Sequence, residues 1–392
     1  MNPSPCIAIA HPGMGFGGSE ACVMNLLDLL QNDYKVTLVT TNDIDLSTWN
    51  SFYGTAVDPQ KITIRHAPVF PGMHNNLRYA GLRGACYQRF CRQIGREYDL
   101  CISAYNLTDW GAVRQLHFIA DFVWDRELAD RFDPVPEQGG RLIHRKNCMR
   151  KMYLSFCRAI SGRCASFQEI LQKGTVVANS QWSANLIAEK YGTHCGSVIF
   201  PPVGAEFEAR SFEARKADFV SIGRIAPEKR IESQIGIIEY LREKGIETRL
   251  HLIGECGDDP YGQKIRSLVS DKPWIIMEGR QSGKRKAELL TSCRYALHTR
   301  PHEAFGITVA EFVKAGCIPF IPDTGGQTEI VPYPELQFKT EQEAIEKIVS
   351  LLESPVRQKE LLTKLKERAE LFSAKHFQQE ASKIIQKMLG EK

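Results

Sequence analysis

With 392 residues the chain is too long for one ordinary domain, and two domains are expected. Its 43% hydrophobic and 24% charged residues are the content of a soluble globular protein, which excludes a disordered or fibrous chain, and a formal charge of +4 is too small to argue for nucleic acid. The 12 cysteines form no C-x-x-C pair and no zinc-like cluster with histidine, so buried thiols in a reducing cytoplasm are expected.

"MNPSPCIAIAHPG" has no basic leader and only a short apolar stretch, so no signal peptide is expected. No apolar run approaches the roughly 18 residues needed to span a bilayer. The first strand, Cys6 to Ala10, leads through "HPGMGFGGSE" into a helix from about Ser19 to Leu30. Gly13, Gly15 and Gly18 match the G-x-G-x-x-G dinucleotide fingerprint, and Asp43 ends the next apolar run near where a ribose-binding acid would sit. An NAD-dependent oxidoreductase is therefore one reading, although His11 and Pro12 lengthen the turn between the strand and the glycines. Strands follow at Lys35–Thr41, Lys61–Ala67 and Asp99–Ala104, with an arginine-rich helix over Leu77–Glu97. "RQLHFIA" and "GTVVANS" continue the series, "QWSANLIAEKYG" reads as a helix, and "GSVIFPPV" stops at Pro201 and Pro202.

The rhythm restarts with a strand at Ala217–Arg224 and a helix around Ile231–Lys244. "TRLHLIGE", "WIIMEG", "YALHTR" and "IPFIPD" are further strands with helices between them. Strands alternating with helices predict an α/β fold: two Rossmann-like domains, each with a parallel sheet, facing a cleft at the strands' C-terminal ends.

The densest chemistry lies in "RPHEAFGITVAEFVKAGCIPFIPDTGGQTEIV". Glu303 and Glu311 flank Gly306, where a helix should start, so Gly306 to Thr308 would present free N–H groups to a phosphate. Two carboxylates beside such a site accept hydrogen bonds from sugar or ribose hydroxyls. "SIGRIAPEKR" sets Arg224 just past a strand and Lys229 five residues on, two cations suited to phosphate oxygens. The plain alternative is a solvated helix residue and ordinary strand-end charges. The glycines of "DTGGQTE" are expected to allow close backbone approach to a ligand.

In this order, "GRIAPEK", "EAFGITVAE" and "GGQTE" resemble the G-R-x-x-P-E-K-G, E-G-F-G-x-x-x-x-E and G-G-x-x-E elements of retaining glycosyltransferases of family 4. "PPV" at Pro201–Val203 and "ANSQWSA" resemble that family's interdomain segment, and "FSAKHF" the start of its final helix, which crosses back to the first domain. The resemblance implies the GT-B fold, with an acceptor domain over 1–205, a nucleotide-sugar domain over 206–372 and a returning helix over 373–392. It implies a nucleotide-diphosphate sugar as co-substrate, with no separate cofactor. Arg224 and Lys229 would neutralise the diphosphate, helped by the helix start at Phe305–Ile307. Glu311 would hold the ribose and Glu303 the donor sugar, with Arg280 near the nucleobase. Ala304 and Arg230 depart from the family's glycines. Ala304 would narrow the sugar pocket, and Arg230 would either add a cation near the phosphates or face water. "RQLHFIADFVWD" resembles the segment carrying a histidine at the donor sugar, which points to His117 as catalytic, with Asp121 as a second candidate. Retention through a front-face route is expected, because no carboxylate stands out as nucleophile.

No metal is expected. "DID" at Asp43–Asp45 mimics a metal-binding D-x-D in the wrong domain, and cations plus a helix dipole can replace an ion at the diphosphate. The resemblance also gives the opening loop a new meaning: Gly17 and Gly18 in "GGSE" would leave room for donor or acceptor, with Ser19 capping the helix. Residues 141–173 carry eight Lys or Arg against one acid, Glu169, with apolar residues between them. That segment is either a solvated face packed on its own domain or a peripheral contact with the inner face of an anionic membrane. The acceptor would be a glycan or glycolipid, and a non-catalytic sugar-nucleotide-binding protein is the other reading of the same fold.

Overall fold

The computed structural model describes residues 4–69, 79–111, 114–132, 148–162, 165–204, 207–208 and 210–390. The chain divides into two compact units, one of Met1–Pro202 with Ala374–Lys392 and one of Val203–Ser373.

In the first unit seven strands, β1 (Cys6–Ala10), β2 (Lys35–Thr40), β3 (Ile62–His66), β4 (Leu100–Ser103), β5 (Gln115–Ile119), β6 (Thr175–Ala178) and β7 (Ser197–Val198), pair in parallel in the order β3-β2-β1-β4-β5-β6-β7. Its helices before the linker are α1 (Gly18–Leu30), α2 (Leu46–Tyr53), α3 (Ala80–Ile94), α4 (Arg126–Phe132), α5 (Cys148–Ser161), α6 (Phe167–Lys173) and α7 (Gln181–Tyr191). The period of two along a strand splits the core: Ile7 and Ile9 join one apolar cluster, while Ala8 and Ala10 join the other.

The second unit has β8 (Lys216–Ile222), β9 (Leu250–Ile253), β10 (Ile275–Gly279), β11 (Cys293–Leu297), β12 (Ile318–Pro322) and β13 (Gln337–Phe338), parallel in the order β10-β9-β8-β11-β12-β13. Its helices are α8 (Ile231–Glu243), α9 (Pro260–Val269), α10 (Gly283–Ser292), α11 (Ile307–Lys314), α12 (Gln327–Ile330), α13 (Glu341–Leu352) and α14 (Pro355–Ala369). β13 escapes the sequence reading because two residues cannot display a period.

The last helix, α15 (Ala374–Leu389), packs in the first unit. Phe377, Ala381 and Ile385, spaced four apart on one face, are buried in the same cluster as Val23, Leu26 and Leu27 of α1. Burying the two large side chains stabilises this return by about 1.5–3 kcal/mol each. Gln378 Nε2 adds a 3.4 Å hydrogen bond to the Asn25 carbonyl.

Two expectations need adjustment. Ser19 does not cap α1: Gly17 is the N-cap, and the Ser19 hydroxyl donates instead to Glu20 Oε2 at 2.9 Å. The basic stretch is not one helix, since α5 and α6 are separate and Gly162 between them has φ 70°. Residues 141–147 and 163–164 of that stretch, and residues 77–78 of the arginine-rich helix, lie outside the described residues.

Candidate functional site

In a doubly wound sheet, ligands bind beyond the carboxyl ends of the strands where the order reverses. In the second unit that point lies between β8 and β11. The loop after β8 carries "GRIAPEKR" and the loop after β11 carries "HTRPHEAFG", so the two motifs meet there. Lys229 Nζ lies 2.8 Å from Glu303 Oε1, and both side chains are 17% exposed. The Lys229 carbonyl accepts from Thr299 Oγ1 at 2.7 Å, which ties the cation's loop to the strand end that bears the acid. Arg224 stands apart, exposed and paired with Glu228 at 3.1 Å. Arg230 is exposed in the left-handed region with φ 48° and ψ 52°, a conformation that accounts for the family's glycine there.

Glu303 is held from several sides. His298 Nε2 and Arg300 Nη1 each stand 3.6 Å from Oε1. Burial alone would raise the carboxyl's pKa, but the Lys229 charge, the nearby His298 imidazole and the Arg300 charge hold it far below the ordinary carboxylate range. Burial lowers the His298 pKa, so this imidazole is neutral at pH 7. The Glu303 backbone bridges to Gly325, and Gly326 N donates to its carbonyl at 2.8 Å. A Cβ on Gly325, whose φ is 88°, would lie 2.6 Å from the Glu303 carbonyl oxygen. The close approach that "DTGGQTE" allows is therefore to the Glu303 loop itself, which corrects the expectation of an approach to ligand.

Gly306, with φ 100°, caps α11. Phe305 is 3% exposed and its ring packs edge-on against Phe372. Ala304 and Ile307 are half-buried around it. Glu311 Oε1 pairs with Lys286 Nζ at 2.6 Å, both side chains largely buried. Lys286 was missed by sequence reasoning, although "GRQSGKRK" signals a local excess of cations. Arg280 is exposed just past β10. A groove of about 410 Å³ lined by Arg230, Ser233, Thr299 and residues 338–342 flanks the Lys229 loop without including Lys229 or Glu303.

The first unit corrects the reading of His117. It lies mid-strand in β5, is 0% exposed, and holds Ser103 Oγ at 3.0 Å through Nδ1. A Cβ on Gly174 would come within 2.7 Å of its ring, and burial pushes its pKa down to about 4. An imidazole with no exposed surface cannot touch a donor sugar in this conformation; it is a core residue. Asp121, just past the end of β5, accepts from Tyr105 OH at 3.0 Å and Asn106 Nδ2 at 2.8 Å. Gly17 has a packing reason to be glycine, because a Cβ there would lie 2.8 Å from Glu20 Oε2. Gly18 opens α1. Elsewhere in this unit, α5 rests on α3, with Tyr153 OH accepting from Leu82 N at 2.9 Å. Its outer side exposes Met152 and Phe156 beside Lys151 and Arg158.

Residues 204–372 match the model of the family Glycosyl transferases group 1. The second unit is a group 1 glycosyl transferase domain. The chain bearing this glycosyl transferase domain is 25% identical over 240 residues to the GDP-Man:Man(3)GlcNAc(2)-PP-Dol alpha-1,2-mannosyltransferase of Dictyostelium discoideum, covering 55% of this chain and 48% of that one. The match thus spans about half the length of that relative. A human alpha-1,3/1,6-mannosyltransferase is 22% identical over 399 residues, with 88% of each chain covered. Among solved structures, the sucrose-phosphate synthase of Thermosynechococcus elongatus gives a TM-score of 0.71 at 12% identity, over 98% of this chain and 99% of that one. Anabaena HepE, solved in complex with UDP, gives 0.67 at 16%, over 98% and 100%. At such identities the likeness shows the fold: two Rossmann-like domains of the GT-B glycosyltransferase type.

Proposed function

We propose that the protein is a retaining hexosyltransferase that moves a sugar from a nucleotide-diphosphate donor to a hydroxyl of a saccharide or lipid-linked saccharide. The observation that carries this reading is the Lys229–Glu303 pair at the switch point, beside the start of α11. GDP-mannose is the favoured donor over a UDP-hexose, because the relatives named above include a GDP-Man-dependent enzyme.

In this reading Lys229 and Arg224 turn to the diphosphate, joined by the positive end of the α11 dipole at the helix start, Phe305–Ile307. Glu311 accepts from the ribose hydroxyls, Glu303 from the donor sugar, and Arg280 lies beside the base. Gly17 and Gly18 leave room at the first unit's loop. The bond between the anomeric carbon and the diphosphate oxygen breaks, the acceptor oxygen bonds to that carbon from the same face, and its proton passes to the leaving phosphate oxygen. Cations that stabilise the developing charge on the leaving group supply most of the acceleration. No metal or separate cofactor is required, and loss of activity in a metal chelator would refute that part. A membrane-surface acceptor on the cytoplasmic side suits the basic, partly apolar outer side of α5. Among the described residues no helix is long and apolar enough to cross a membrane.

The test is a thermal-shift panel of nucleotide sugars followed by a transfer assay. One donor should stabilise the protein, and Glu303→Ala and Lys229→Ala should each abolish most turnover with the fold intact. Stabilisation by no donor, or full turnover in either variant, contradicts the assignment.

A further inference from the structure

One buried side chain outside the motif residues faces the same carboxylate. His298 follows β11, is 1% exposed, and its Nε2 makes no hydrogen bond among the described residues although it stands 3.6 Å from Glu303 Oε1. Lys229 at 2.8 Å and Arg300 at 3.6 Å approach that same oxygen. The contacts gather on Oε1 and leave Oε2 as the acceptor for a sugar hydroxyl. If Lys229 turns to a diphosphate, Glu303 loses its nearest partner in a largely buried site, where an unpaired charge is costly.

We propose that His298 is a positioning residue that takes hold of Glu303 Oε1 when Lys229 leaves it, keeping Oε2 directed at the donor sugar. The proposal rests on the donor-sugar role given to Glu303 above. It needs only a neutral imidazole with its proton on Nε2, and burial favours the neutral ring. The ring has to close from 3.6 Å to the roughly 3.0 Å of a hydrogen bond. No proton is transferred. Lys229 and Arg300 are the other charged groups facing the pair.

The experiment compares GDP with GDP-mannose, and UDP with UDP-glucose in parallel, by calorimetric titration of the wild type, His298→Leu and His298→Gln. A nucleoside diphosphate carries no sugar, so its affinity should stay within about twofold in both variants. Affinity for the nucleotide sugar should fall about tenfold or more in His298→Leu, the size of one charge-assisted hydrogen bond. His298→Gln, whose amide can donate from near the Nε2 position, should recover most of it. Should His298→Leu not fold, His298→Asn gives the same contrast, since its shorter amide stops short of Oε1. Equal losses for diphosphate and nucleotide sugar, no loss at all, or a glutamine no better than leucine or asparagine would overturn the proposal. A wild type that binds none of the four ligands would instead refute the proposed function.

Discussion

Replacing Lys229 by methionine removes the charge opposite Glu303 and keeps most of the side chain's bulk. At 2.8 Å with both partners 17% exposed, the pair lies between a surface and a fully buried bridge. Breaking a buried bridge by removing one partner costs about 3–5 kcal/mol, and an exposed one contributes under about 1 kcal/mol. Arg300 and His298 keep partial hold of the carboxylate, so about 2 kcal/mol is expected for Lys229→Met, and somewhat less for Glu303→Gln. The double variant should lose less than the sum, with a coupling of about 1–2 kcal/mol in urea unfolding at pH 7. The sign with pH follows from the depressed Glu303 pKa. The stability it contributes is fully present above the unfolded carboxyl's pKa of about 4.5, and is lost as pH falls below that value toward the folded one. The coupling should therefore shrink on acidification from pH 5 to pH 3. Additivity within about 0.5 kcal/mol at pH 7, or a coupling that grows as pH falls, would refute the pairing.

His117, held at a pKa of about 4 inside the first unit, binds a proton when unfolded but not when folded between pH 4 and about 6.5. Stability should drop by up to roughly 3 kcal/mol on acidification through that window, and His117→Gln should flatten this part of the pH profile; an unchanged profile would count against a buried neutral ring. Gly325→Ala places a methyl 2.6 Å from the Glu303 carbonyl in a left-handed conformation, so a loss of about 2 kcal/mol or more in unfolding free energy is expected, and wild-type stability would contradict it. Arg230→Gly relieves left-handed strain worth about 1 kcal/mol, partly offset by glycine's freedom in the unfolded chain; a thermal midpoint that falls by several degrees would contradict this. If α5 meets a membrane, changing Arg150 and Lys151 to alanine should weaken co-sedimentation with anionic vesicles roughly tenfold, and binding indifferent to anionic lipid would refute that contact.

The strands of both sheets, β13 apart, were legible because parallel strands, buried on both faces, read as short apolar runs between turn residues. Glu303, Lys229 and Glu311 were legible through spacing. Their partners were not: Lys286 meets Glu311 from α10, a pairing of which local spacing carries no record, and His298, in the same loop as Glu303, belongs to none of the motifs. His117 misled for a related reason. A histidine in an apolar run gives no sign of its depth, and every residue of β5 from Gln115 to Ile119 is buried. The "GGQTE" glycines were found for a reason the structure replaces, since backbone crowding against another loop and against a ligand leave the same glycine in the sequence.

The return of α15 to α1 sets an order of events during synthesis. The apolar face of α1, with Val23, Leu26 and Leu27, is made about 350 residues before Phe377 and Ile385, which share its cluster. At about 5–20 residues per second that interval is tens of seconds. The second unit has its whole sequence available before the first unit can close its core. Until α15 emerges a nascent chain thus carries an uncovered apolar stripe, and a chain cut short before α15 keeps that stripe open to chaperones and to other chains.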